Sequence, residues 1–212
     1  MLTLHRFPDT ASTVVELVLH ELNLAYDTRF ADKNNGVTST PAYLALHPLG
    51  LIPVLETPDG PIFETAAILL YLSELTPNTL APAPGSPDRG AFLKWLFFTS
   101  TNLHTTILQT YYPALTAGLD CTDAVVSHAR AKLKIYLNLL DTVAATRPAY
   151  LSDSQPTLLG YYIAILMRWV VADFPSTDYP ALHGVLTYLE TRSATLTCAA
   201  AENLGSRPFT EG

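Results

Sequence analysis

The stretch TPNTLAPAPGSPD, residues 76–88, divides the chain into two parts of different texture. Proline and glycine at that density break helix and strand alike, so the segments on either side must fold on separate apolar patterns. Before it, strand-like and helix-like periods alternate. Leu2-Thr3-Leu4 opens a short strand, and Ser12 to Leu24 places Val14, Leu17, Val18 and Leu22 at helical spacing. Thr13 and Glu16 have the spacing of a capping box, which predicts a helix start at Ser12 or Thr13. A second strand is expected around Ala25–Arg29, a polar loop over residues 33–39, and a helical turn over Pro41–Ala45. Ile52–Glu56 and Ile62-Phe63 flank Thr57-Pro58-Asp59-Gly60, and Asp-Gly between two apolar runs signals a hairpin. A helix over Thr65–Leu75 completes the order βαβαββα. Beyond the proline-rich stretch no strand alternation occurs. Helices are expected over Gly90–Tyr111, Asp123–Thr146, Thr157–Asp173 and Pro180–Leu196. The expected fold is an α/β domain over residues 1–76, a linker over 77–88 and an all-α helical bundle over 89–212, with the last ten residues fraying.

Bulk composition narrows the function classes. Apolar residues make up 49% of the chain, ample for a dense core, and the formal net charge is −7. An acidic chain has no sequence-independent grip on phosphate backbones, so no nucleic-acid partner is expected. The start, MLTLHRFPDTAS, lacks the basic and apolar regions of a secretory signal. The longest apolar stretch, Leu158–Met167, ends at Arg168 and is too short to span a bilayer, so no membrane partner is expected. Cys121 and Cys198 form no CxxC pair, which suggests neither a disulfide framework nor a metal site and favours a cytoplasmic setting.

Pro53 stands in Leu51-Ile52-Pro53-Val54-Leu55, otherwise a buried strand by composition. Proline gives no N–H to a ladder, so it marks either the start of an edge strand or a special backbone corner. The surrounding PAYLALHPLGLIPVLETPDGPIFETAAILLYLSEL, residues 41–75, resembles a segment of cytosolic glutathione transferases. There the common form is "NPxGxVPxL…ES-AIxxYL", and Pro48, Gly50, Ile52, Pro53, Leu55, Glu64, Thr65, Ile68, Tyr71 and Leu72 match it in register. WLFFTSTNLHTTI, residues 95–107, is similar to the first long C-terminal helix of bacterial beta-class members. The resemblance implies a thioredoxin-like N-terminal domain, a helical second domain and a homodimer. It also implies glutathione as cosubstrate, with no other cofactor, and a hydrophobic electrophile received between the domains.

The site residues follow from that frame. The resemblance implies a cis bond before Pro53, with the Ile52 backbone pair docking the cysteinyl unit of glutathione as an added strand. Glu64-Thr65 at a helix start suits the ammonium and carboxylate of a γ-glutamyl group, though the same pair also suits a plain helix cap. Lys33 is the candidate for the glycine carboxylate. An ordinary thiol has a pKa of about 8.5, and a helix N-terminus with an aimed hydroxyl lowers it. Ser12 is the expected thiolate partner, with Thr10 the runner-up and an N-cap serine the bland alternative. Ala11 stands where beta-class proteins have cysteine, which removes a mixed disulfide with glutathione and leaves conjugation. His104 falls where those proteins have a histidine near the sulfur, where it either stabilises a thiolate or carries a proton; a solvated or core histidine is the alternative. Phe7, Phe98, Tyr111, Tyr112 and Trp169 are the aromatic candidates for the electrophile. Leu51, Phe97 and Asn102 depart from the family and remove polar contacts to glutathione. A glutathione- or ligand-binding protein without turnover is the alternative to an enzyme, and a structural or interaction protein that only reuses the fold is a third reading.

Overall fold

A computed structural model describes residues 1–77, 80–118, 120 and 122–211. Cys121 and part of the expected linker lie outside them. In chain order the elements are β1 (Leu2–Arg6), α1 (Ser12–Glu21), β2 (Tyr26–Phe30), a 3-10 turn (Val37–Ser39), α2 (Pro41–Leu44), β3 (Val54–Thr57), β4 (Gly60–Ile62) and α3 (Thr65–Glu74). Then come α4 (Arg89–Phe98), a π turn (Thr99–His104), α5 (Thr105–Tyr111), α6 (Ala114–Ala117), α7 (Thr122–Ala145), α8 (Leu158–Val170), a 3-10 turn (Ser176–Asp178), α9 (Pro180–Glu190) and α10 (Ser193–Glu202). They group into two compact units. One is Met1–Leu80 with Arg192–Ser206; the other is Ala81–Thr191 with the segment from Arg207 onward.

The first unit is a thioredoxin-like layer of four strands in the order β2-β1-β3-β4. β1 and β2 are parallel, whereas β1–β3 and β3–β4 are antiparallel, with Leu4 opposite Thr28 and Leu55. Parallel neighbours need a crossover, and α1 supplies it. Its residues Ser12–Leu19 are all buried, which the apolar run Val14, Val15, Leu17, Val18 and Leu19 explains. The expected capping box does not form: α1 has no side-chain cap. Thr13 instead donates its hydroxyl to Glu202 of α10, and Glu16 pairs with Arg6. That packing of α10 on α1 also explains why the expected single helix over Pro180–Leu196 is two. Arg192 is extended, at φ −75° and ψ 141°, and grips Glu21 with Nε and Nη2 at 3.0 and 3.1 Å.

The second unit is all helical among the described residues. Every residue of Leu158–Met167 is buried, as expected for a helix apolar all round. Its N-cap is Thr157, whose hydroxyl accepts from the Gly160 N–H at 3.0 Å. A side chain at Gly160 would begin only 2.7 Å from that hydroxyl and 3.4 Å from Leu189, which accounts for the missing acidic partner there. The π turn interrupts the helix expected over Gly90–Tyr111. Near the end of the described residues, Phe209 and Thr210 are held rather than frayed. Phe209 is 1% exposed, and the Glu190 carboxylate accepts the N–H groups of Phe209 and Thr210 at 2.9 and 2.8 Å. No described helix is long and apolar enough to cross a membrane.

Candidate functional site

Gly50, Ile52, Pro53 and Tyr43 build the corner before β3. Gly50 adopts φ +64°, and a Cβ there would meet the Thr38 carbonyl oxygen at 2.6 Å, so only glycine fits. The Ile52–Pro53 bond is cis, the geometry the resemblance implies. Tyr43 of α2 braces the corner by donating its hydroxyl to the Leu51 carbonyl at 2.8 Å, and burial pushes its pKa up to about 12. The Ile52 side chain packs on the cluster of Ala31, Tyr43 and Val54. Its amide and carbonyl take no partner among the described residues. Leu51 is 56% exposed beside them. Tyr43 was not singled out from sequence, where it reads as one more apolar residue of a helical turn.

Glu64 and Thr65 begin α3. Glu64 is exposed and held at φ 72°, ψ 111°, a conformation that costs a non-glycine residue about 1–3 kcal/mol and that clusters at ligand sites. Thr65 is buried, and its amide lies in the first helical turn, where N–H groups lack intrahelical acceptors. His47 is a further neighbour the sequence did not flag. It is buried, its ring lies 4.4 Å from that of Phe63, and its Nδ1 accepts from the Leu49 N–H at 3.2 Å. Burial lowers its pKa, and the charge of nearby Glu64 opposes that shift.

At the turn between β1 and α1, Ser12 is buried, at 0% exposure. Its hydroxyl accepts from the Phe7 N–H at 3.1 Å and lies 3.0 Å from the Phe7 carbonyl and 2.9 Å from Thr10 Oγ1. Thr10 is partly exposed. Its hydroxyl donates to the Phe7 carbonyl at 2.7 Å and accepts from the Ser12 N–H at 3.3 Å. Phe7 stacks on Phe30 at 5.3 Å, and the exposed Lys33 holds its Nζ 5.4 Å from the Phe7 ring.

In the helical unit, His104 ends the π turn. Its Nδ1 lies 2.9 Å from the Tyr162 hydroxyl, and its ring is 5.5 Å from that of Trp169. Burial pushes its pKa down to about 4, so the ring is neutral near pH 7 and does not stabilise a thiolate by charge. Because this value lies below the ordinary 6.5, the unfolded chain takes the proton first. Stability from this group is therefore present above pH 6.5 and lost as pH falls towards 4. A proton NMR titration should find the His104 ring still in its neutral form at pH 5. Phe98 packs edge-on against Trp95 and Tyr136 at 5.3 and 5.1 Å. Tyr111 donates to Asp173 at 2.8 Å, a carboxylate also held by Arg130, and Tyr112 is 55% exposed. Phe97 is exposed, and Asn102 Oδ1 accepts from Thr101 at 3.0 Å. Among the described residues no cluster of side chains could hold a metal ion.

Residues 11–75 match the glutathione S-transferase N-terminal domain family. Elongation factor 1-gamma 3 of Oryza sativa subsp. japonica is 32% identical over 148 residues, covering 66% of this chain and 35% of that one. The chain thus spans about a third of the length of such elongation-factor relatives. Glutathione S-transferase F9 of Arabidopsis thaliana is 29% identical over 178 residues, 81% of this chain and 78% of that one. The solved structure of a sphingomonad glutathione S-transferase complexed with glutathione superposes with a TM-score of 0.77 at 26% identity, covering 96% of this chain and all of that one. The first unit thus carries the glutathione S-transferase N-terminal domain, and with its four-strand layer and helical second unit the chain shares the fold of cytosolic glutathione transferases.

Proposed function

We propose that this protein is a glutathione transferase that adds the glutathione thiolate to a hydrophobic electrophile. The observation that carries the reading is the pairing of two features in one unit. The Ile52 backbone offers an unpartnered N–H and C=O, and the helix start at Glu64-Thr65 offers a carboxylate, a hydroxyl and amides. The first accepts the cysteinyl unit as a strand, the second holds the γ-glutamyl group, and Lys33 meets the glycine carboxylate. The thiol then lies at the start of α1. Thr10 is the hydroxyl nearest the surface there, and Ser12 acts through it by fixing Thr10 and Phe7. Within the helical unit, His104 is a neutral hydrogen-bonding group and Tyr112 an exposed aromatic ring suited to an apolar electrophile. The solved sphingomonad relative complexed with glutathione supports the cosubstrate.

A second reading is glutathione binding without turnover. The likeness to elongation factor 1-gamma 3, the alanine at position 11 and the enclosure of Ser12 favour it. Calorimetric titration with glutathione, followed by a conjugation assay with a chloronitrobenzene, separates the two. Binding with conjugation is expected. Glu64→Ala should weaken binding at least about tenfold, the loss of one charge-assisted hydrogen bond of roughly 1.5–3 kcal/mol. Binding with no conjugation across many electrophiles selects the second reading, and no binding heat removes both.

A further inference from the structure

We propose that Glu202, from the last helix of the chain, is the positioning residue that holds the β1–α1 turn in the shape that receives the thiol. The inference rests on the transferase reading and names what sets its reactive turn. The Glu202 side chain is 0% exposed. One oxygen pairs with Arg6 Nη2 at 2.6 Å, and the other accepts the Asp9 N–H at 3.0 Å and the Thr13 hydroxyl at 2.7 Å. These contacts fall before, within and after the turn. Asp9 is not glycine, yet it adopts φ 52°, and that backbone conformation is what aims its amide at the carboxylate. Inside the turn, Phe7, Thr10 and Ser12 are linked to one another through backbone and hydroxyls, and the Thr10 carbonyl accepts the Thr13 N–H at 3.0 Å. Their shape is closed from within, and Glu202 anchors it from outside.

A buried carboxylate is tolerated only where donors replace its lost water, and here two of the three donors belong to the turn or the helix it opens. Glu202→Gln keeps the shape but gives one position an NH2. Whichever way the amide is placed, a donor then faces Arg6 or faces the Asp9 N–H and Thr13 hydroxyl. The Thr13 hydroxyl can rotate to accept; the Asp9 amide cannot. The amide oxygen stays with the Arg6 cation, since an NH2 facing it would set donor against positive charge, so the turn shifts at Asp9, next to Thr10, while Ile52, Glu64 and Thr65 keep their geometry. The expected signature is a lost rate with retained glutathione affinity.

The test uses the full chain, wild type and Glu202→Gln, with Thr13→Val as a second variant that spares the Arg6 pair. Amide hydrogen exchange of a peptide spanning residues 7–13, read by mass spectrometry without ligand, should speed up about tenfold in Glu202→Gln and less in Thr13→Val. Calorimetry should give a glutathione affinity within about twofold of wild type, while kcat for a chloronitrobenzene falls about tenfold. The bound thiol, followed by ultraviolet thiolate absorbance against pH, should titrate about one unit higher. Unchanged exchange in both variants overturns the proposal, as does a rate and affinity lost in equal measure. If wild type binds glutathione without conjugating it, the transferase reading fails, and exchange with the thiol titration still decides the role of Glu202. If wild type binds no glutathione, exchange alone decides it. Should Glu202→Gln not fold, Thr13→Val carries each comparison.

Discussion

Arg6→Met is expected to destabilise the protein by about 3–5 kcal/mol, the usual result of removing one partner from a buried ion cluster. Arg6 lies with Nη2 2.6 Å from Glu202 and Nε 2.9 Å from Glu16, whose carboxylates are both buried. Methionine fills much of the same volume but leaves two carboxylates without a cation. The loss should depend on pH in a set direction. Burial already raises the Glu16 pKa above its ordinary 4.5, with Arg6 opposing, and removing Arg6 raises it further. A carboxyl whose folded pKa is raised contributes stability fully below its unfolded value and loses it as pH rises through the folded one. Urea unfolding should therefore show a larger deficit for Arg6→Met at pH 7.5 than near pH 5. An equal deficit at both would mean that the cluster is held by packing and not by charge.

Glu190→Ala is the second large effect. One carboxylate accepts two backbone N–H groups and the Thr210 hydroxyl, the last at 3.0 Å. Losing it strands the Phe209 amide in a buried position and releases the seal over the Phe209 ring. Hydrogen bonds to a charged acceptor contribute roughly 1.5–3 kcal/mol each, not additively, so a loss of about 3 kcal/mol is expected. Limited chymotrypsin digestion should then cut after Phe209 well before global unfolding, whereas wild type resists. If the terminal segment stays protected in Glu190→Ala, the Pro208 carbonyl contact with Arg168 at 3.1 Å is the stronger tether.

The order of elements in the first unit was legible because its signals are local. Helical spacing over Val14, Leu17 and Val18, the Asp-Gly turn and the proline-rich stretch each report on neighbours only a few residues away. What went unread depends on partners far along the chain. Thr13 and Glu16 looked like a capping box, but the carboxylate that claims Thr13 is 189 residues distant. Ser12 was legible as a polar residue at a helix start, yet whether its hydroxyl faces out or in depends on the path of Phe7 and Thr10, which spacing does not encode. Of the residues at the corner before β3 and at the start of α3, Gly50, Ile52, Glu64 and Thr65 share one stretch and could be matched in register. Tyr43 and His47 lie in that same stretch and were passed over, because a bracing hydroxyl and a buried imidazole have no spacing of their own. The π turn at Thr99–His104 and the Glu190 anchor left no sequence mark either.

Because the polypeptide leaves the first unit near Leu80 and re-enters it at Arg192, the two units are not interchangeable cassettes. A hybrid spliced within the proline-rich stretch would give α1 a foreign flank in place of Thr13's and Glu21's own partners. Recombination in such a gene is thereby steered towards joins that keep both crossings in one parent.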